Sequence, residues 1–246
     1  MAPIHKHSIF ITSWDDGHPL DLRIASLLKK YDLNGTFFIP IENIEGREVL
    51  SRENIIELAS TFEVGSHTYS HLYLNSIKSS VQANEEILNG KNELENILGK
   101  KVFGFCYPGG KFNSDIINMV SDSGFEYART IENLRIDLGI AKFKIPTTIQ
   151  FFPHSYKVLV RNYIKNPSIK KNRLVLKSLF SNSYLEYLLW LLDYSIQNQG
   201  IFHLWGHSWE IEKFNLWEDL ECFFKEVSER KMSSLSIYQS LLTHGK

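Results

Sequence analysis

The sequence predicts an α/β protein whose parallel strands are joined by helical crossovers, as an open sheet or a closed barrel. Short, almost wholly apolar runs alternate with helix-spaced segments from end to end, and such runs are expected of strands covered on both faces. The chemistry-bearing residues also fall just past the ends of these runs, the edge at which α/β barrels keep their sites.

The first strand is read over Ser8–Ser13, with Asp15, Asp16 and Gly17 following it. Pro19 suits the opening turn of a helix over Leu20–Tyr31. Next come a strand at Gly35–Ile39, a helix at Arg52–Ser60, a strand at Glu63–Ser66 and a helix at Ser79–Leu98, stopped by Gly99. Val102–Tyr107 reads as a strand, Ser114–Ser123 as a helix stopped by Gly124, and Phe125–Thr130 and Phe143–Ile149 as strands. Ile201–Trp205 is the last strand and Trp217–Arg230 the last helix. Between them, 156–199 is longer than one crossover helix requires, so it is expected to be an insertion carrying about two helices. No repeat, low-complexity tract or flexible linker divides the chain, and a single domain over 1–246 is expected.

With 246 residues, 43% of them hydrophobic, the chain can bury a sizeable core. A net charge of -1 argues against nucleic acid as a partner, because phosphate binding needs a concentrated basic surface. The locally basic stretch Lys165–Lys177 reads as a solvated helix face or loop. Cys106 and Cys222 show neither metal spacing nor a disulfide framework, which points to a reducing compartment. The N-terminus lacks signal-peptide form, so a cytoplasmic chain is expected. No apolar run reaches the roughly 18–20 residues that span a bilayer; Tyr184–Leu192 comes nearest. Oligomeric state is not legible.

Two segments carry the chemistry: Thr12-Ser13-Trp14-Asp15-Asp16-Gly17 and His67-Thr68-Tyr69-Ser70-His71. Two carboxylates and two imidazoles can hold one divalent ion and leave a carboxylate free as a base. Oxygen and imidazole donors together suit zinc, or a similar first-row ion such as cobalt or nickel. The i, i+4 histidine spacing places both rings on one face of a helical turn. A plainer reading is a core or surface histidine pair beside an Asp-Gly turn. Against it, a turn needs one carboxylate, and adjacent carboxylates repel unless a cation or proton shares the site.

TSWDDG, HTYSH and the later CYPGG and HLWGHS segments resemble, in order, motifs of the polysaccharide deacetylases, carbohydrate esterase family 4 (the NodB homology domain). The resemblance runs over roughly residues 8 to 240. It implies a distorted (β/α) barrel of seven or eight strands and metal-dependent removal of acetyl groups from sugars. By position it implies Asp15 as base, Asp16, His67 and His71 as metal ligands, and the backbone N–H of Gly109 as an oxyanion donor. The family's third motif carries an arginine where this chain has Cys106, followed by Tyr107. Arg129, at the end of the next expected strand, is the candidate replacement, against a plain surface arginine; Cys106 reads as a small buried residue.

The last motif should deliver a general acid. His207, past Gly206, is preferred to the deeper His203. Tyr107, Trp205 and Trp209 are candidates for binding the sugar, with core packing as the other reading of the tryptophans. His18 borders the pocket or lies on a surface loop, and His5, His7, His154 and His244 have no sequence partner. The expected activity is therefore metal-dependent removal of an N-acetyl group from an amino sugar in a glycan or glycan precursor. The alternatives are deformylation or another amide hydrolysis on this fold, and a silent carbohydrate-binding domain.

Overall fold

A computed structural model describes residues 8–154 and 169–244. Its strands are β1 (Ile9–Asp15), β2 (Thr36–Ile39), β3 (Glu63–Ser66), β4 (Gly104–Cys106), β5 (Tyr127–Arg129), β6 (Ile149–Gln150), β7 (Ile201–Gly206) and β8 (Ser233–Ser234). They form one sheet in the order β5-β4-β3-β2-β1-β7-β6, with β8 beside the start of β1. Every strand pairing is parallel. The sheet curls because one segment touches both of its edges. Ile145 bridges Arg129 in β5, while Ile149 and Gln150 pair with Leu204 and Trp205 in β7. The result is the distorted (β/α) barrel that the motifs imply.

The expected strand at Phe143–Ile149 is thereby corrected. It is a bridge at Ile145 and the two-residue β6, interrupted by Pro146, which has no N–H to give to a ladder. β1 also runs beyond its expected end, so Asp15 is the last residue of the strand and does not follow it.

The helices are α1 (Asp21–Lys30), α2 (Arg52–Ala59), α3 (Ser80–Leu98), α4 (Ser114–Asp122), α5 (Ile169–Leu179), α6 (Tyr184–Gln197), α7 (Ser208–Lys213), α8 (Trp217–Glu229) and α9 (Ile237–His244). Ser51, Ser79, Asn113 and Ser183 cap four of them by accepting from the third residue onward, each worth about 0.5–2 kcal/mol. Gly99 ends α3 in the left-handed conformation that a side chain would oppose (φ 63°). Of the region expected as an insertion, residues 156–168 lie outside the described residues, as do His5 and His7. Within the remainder, α6 buries Tyr187, Leu188, Leu191 and Leu192, packing on β7 and α8.

The seam between β1, β7 and α8 is aromatic. Phe10 packs on Phe202, Phe223 and Phe224, and Trp14 meets Phe224 edge-on. All five rings are fully buried, at about 2–3 kcal/mol for each Phe removed from water. This anchorage fixes the two strands whose carboxyl ends present Asp15 and His207.

Candidate active site

β1 delivers two carboxylates in succession, and the backbone then separates them. Asp16 and Gly17 both take left-handed angles (φ 76° and 58°). A Cβ on Gly17 would lie 2.7 Å from Ile39 Cγ2, so only glycine fits that turn. Asp15 pairs with Arg129, while Asp16 Oδ2 accepts from Trp209 Nε1 at 2.8 Å. Asp16 Oδ1 lies 3.1 Å from His71 Nε2 and 3.7 Å from His67 Nε2. Although this close to both nitrogens, that oxygen is buried without a hydrogen bond.

The histidines do not sit on a helical turn, as their spacing led us to expect. His67 follows β3 directly, and Thr68 and His71 are left-handed (φ 67° and 60°), so the rings converge through an irregular loop. Non-glycine residues in that region cost free energy that surrounding structure must offset. α3 supplies the support: Glu86 O accepts from Tyr69 N, and the Glu86 carboxylate takes both N–H and hydroxyl of Ser70. Gly90 lets the helix close on the loop, since a Cβ there would lie 2.6 Å from the carbonyl carbon of Thr68. Gly90→Ala should therefore displace the loop despite the gain in helix propensity. If the three donors hold a divalent ion, its affinity should fall about tenfold or more, read by chelator competition, with α3 retained by circular dichroism.

His67 Nδ1 lies 2.8 Å from Cys106 O. A carbonyl only accepts, so Nδ1 carries the proton and Nε2 is left bare toward Asp16. Burial, opposed by Asp15, lowers this imidazole to about 4 and keeps it neutral, the form that ligates. Asp16 Oδ1, His67 and His71 offer donor atoms within 4.8 Å of one another, all buried. An oxygen donor without a hydrogen bond, facing two imidazole nitrogens, is what a tetrahedral divalent ion with one open position requires. Asp15, His67 and Cys106 are equally close together. The Arg129 cation already on Asp15 disfavours a second cation there.

Arg129 is the last residue of β5, in register with Cys106 of β4, and it is completely buried. Its guanidinium lies between the rings of Trp205 and Phe38, at 4.9 and 5.3 Å. It is no surface arginine. Burial alone would push the Asp15 carboxyl up, but Arg129 foremost, then His67 and His207, hold it below its ordinary value. Asp16 is likewise lowered against burial, by His71 and the neighbouring histidines. The Cys106 thiol is buried and pushed well up by desolvation, its Sγ 3.7 Å from Asp15 Oδ2.

His207 Nδ1 lies 2.6 Å from Glu210 Oε2. Burial would lower this imidazole, but the bond to Glu210 and the charges of Asp16 and Asp15 raise it to about 9. His203 takes no part in the pocket lining. It is lowered to about 3 by burial and by Arg129, with Nδ1 on Pro146 O and Nε2 on Ser13 Oγ. Ser208, next to His207, donates to the buried Asp21 at the start of α1, which ties down the turn that carries His207.

Asp15, Asp16, His67, His71 and His207 line a pocket of about 250 Å³ that also includes Tyr73, Tyr107, Gly109, Ile131, Trp205 and Trp209. Tyr107 reaches its wall with the hydroxyl already donated to Phe143 O. Gly109 is left-handed (φ 59°), and a Cβ there would lie 3.1 Å from the Tyr73 ring. Trp209 is held at both its Nε1 and its ring, the latter by Arg47 at 4.3 Å. His18 lies outside this lining, its Nδ1 accepting from Leu20 N. Sequence reasoning missed Glu45, Arg47, Tyr73 and Glu210. Only Glu210 had a readable signal, three residues after His207 at the start of a helix.

Residues 3–128 match the family described as polysaccharide deacetylase. The chain is 30% identical over 110 residues to a peptidoglycan deacetylase of Helicobacter pylori, covering 44% of this chain and 36% of that protein. It is 26% identical over 124 residues to a peptidoglycan-N-acetylglucosamine deacetylase of Bacillus cereus, covering 50% of this chain and 56% of the relative. The chain thus spans less than two thirds of either curated relative. A crystal structure from Mycobacterium smegmatis, assigned to a polysaccharide deacetylase, superposes with a TM-score of 0.68 at 15% identity, over 99% of this chain and 92% of that one. That likeness supports the fold. The family match spans half the chain and contains both aspartates, both histidines and the turn at Gly109; the chain belongs to the polysaccharide deacetylase family.

Proposed function

We propose that this chain hydrolyses the N-acetyl group of an amino sugar in a glycan or glycan precursor, releasing acetate and a free amine. The observation that carries the reading is one pocket lined by three buried groups that could hold a metal ion, by Asp15, which pairs with Arg129, and by His207, which pairs with Glu210. The curated relatives act on peptidoglycan by name, which supports an N-acetylated glycan.

Asp16, His67 and His71 would hold one divalent ion, zinc first and cobalt or nickel next. When bound, that ion polarises an acyl carbonyl and makes water acidic enough to be deprotonated near neutral pH. Asp15, kept ionised by Arg129, accepts the proton of the attacking water. The N–H of Gly109 is assigned to the oxyanion of the tetrahedral intermediate. His207, with Nδ1 committed to Glu210, gives its proton from Nε2 to the departing amine. The two groups thus stand at opposite protonation states at one pH, as acid and base require.

The direct test is zinc content together with acetate release from N-acetylglucosamine oligomers, with and without chelator. Chelator-sensitive acetate supports the reading. Formate release from an N-formyl sugar alone would move it to deformylation, and bound zinc with no acyl release would leave a silent binding domain.

The pKa of His207 supplies a pH test. A group raised to about 9 is protonated below that pH, so kcat should fall as pH rises through about 9. Glu210→Gln removes the largest raising influence, leaves burial to act, and should move the limb to lower pH. A uniform fall in kcat with an unmoved limb would assign Glu210 to structure alone.

A further inference from the structure

We infer that Glu45 is the outer hydrogen-bond acceptor for His71, and so a positioning residue for the metal site lying outside the motifs that carry the family resemblance. The inference rests on the metal reading above. His71 aims Nε2 at Asp16 Oδ1, 3.1 Å away. If Nε2 holds a cation it is unprotonated, which places the imidazole proton on Nδ1. That nitrogen is buried and has no hydrogen-bond partner. Glu45 Oε1 faces it from 3.8 Å, beyond hydrogen-bond length and within reach of a small side-chain rotation. His67 has the same need met already, by Cys106 O.

Glu45 is not a stray surface acid. The loop that carries it is fastened to the histidine loop by Ile41 N and Glu42 N donating to Tyr69 O, and by Ile44 N donating to Ser70 O. Arg47 forms an ion pair with Glu45, and the Glu45 carboxylate is near enough to Tyr73 to help raise its phenol, after burial. Arg47 in turn covers Trp209, whose Nε1 donates to Asp16. A closed ring of contacts therefore runs from Asp16 through Trp209, Arg47, Glu45 and His71 back to Asp16. Two of the three donors to the ion are braced by it. A cation on Nε2 would polarise the His71 N–H and strengthen its attraction to the Glu45 carboxylate. Partners of this kind orient ligating imidazoles and raise their basicity, and losing one weakens metal binding by about 10- to 100-fold.

The experiment is chelator competition for zinc on the full chain, comparing wild type, Glu45→Ala and Glu48→Ala. Glu48 is an exposed acid on the same loop, whose charge acts on His18, outside the pocket lining. We expect Glu45→Ala, which leaves no acceptor, to bind zinc about 10- to 100-fold more weakly, and Glu48→Ala to bind as the wild type does. Equal melting temperatures of the three zinc-free proteins would exclude misfolding as the cause. Wild-type affinity in Glu45→Ala overturns the inference alone. An equal loss in both variants also overturns it, because the effect is then general loop charge. A wild-type protein that takes up no zinc overturns the metal reading and this inference together.

Discussion

Asp15→Asn should lower kcat by about 10²- to 10⁴-fold, the contribution of a positioned general base, and should leave zinc in place. The expectation follows from how the turn at Asp16 and Gly17 divides two adjacent carboxylates. Asp15 meets a guanidinium and Asp16 meets two imidazole nitrogens. Asparagine keeps an oxygen for Arg129 and cannot take up a proton from water, so binding survives and the chemistry stops. His67→Ala and His71→Ala behave differently, because each removes one of three donors. Zinc content and turnover should fall together in those variants. Metal content by mass spectrometry beside single-turnover acetate release separates the two classes. If Asp15→Asn released the metal and Asp16→Asn retained it, the two carboxylates would exchange roles.

The donors were legible in the sequence because their chemistry is local: adjacent acids at the end of an apolar run, and two histidines four residues apart. The path by which the histidines converge was not. The spacing suggested a helical turn, whereas the rings meet through a loop with two left-handed residues, held by Glu86 and by the gap at Gly90. Those supports lie on α3, about twenty residues downstream, and no short pattern announces them. The strand order was accessible in outline, since all-apolar runs between helices imply parallel pairing. Closure through Ile145 to Gln150 was hidden, because Pro146 breaks what otherwise reads as one strand. β8 was missed for a plainer reason. Ser233 and Ser234 carry no apolar run; the segment joins the sheet by Ser233 N donating to Ser8 O and Leu235 N to Phe10 O, with the Ser234 hydroxyl accepting from Asn34 N. Glu45 and Arg47 come from a loop whose only structure is its attachment to other loops.

Arg129→Met should be the most damaging substitution away from the metal donors, for stability and turnover alike. The arginine is completely buried and pairs with Asp15, also buried. Removing one member of such a pair leaves an uncompensated charge and costs about 3–5 kcal/mol, whereas replacing both can be close to neutral. The double variant Asp15→Asn/Arg129→Met should therefore recover much of the stability lost in Arg129→Met, as measured by urea unfolding of the zinc-free proteins. Simple additivity would show that the two groups do not act as a pair. The consequence for turnover follows from the same balance. Burial pushes the Asp15 carboxyl up, and Arg129 is the largest influence holding it down. Without the arginine the carboxyl shifts toward its protonated form, which cannot accept a proton, so kcat should fall even in the folded fraction. Arg129→Lys keeps the charge but not the planar fork that fits between Phe38 and Trp205, and should fall between the two. Full turnover in folded Arg129→Met would mean that the base needs no cation from β5. The Cys106 position would then have lost the third-motif arginine without a replacement.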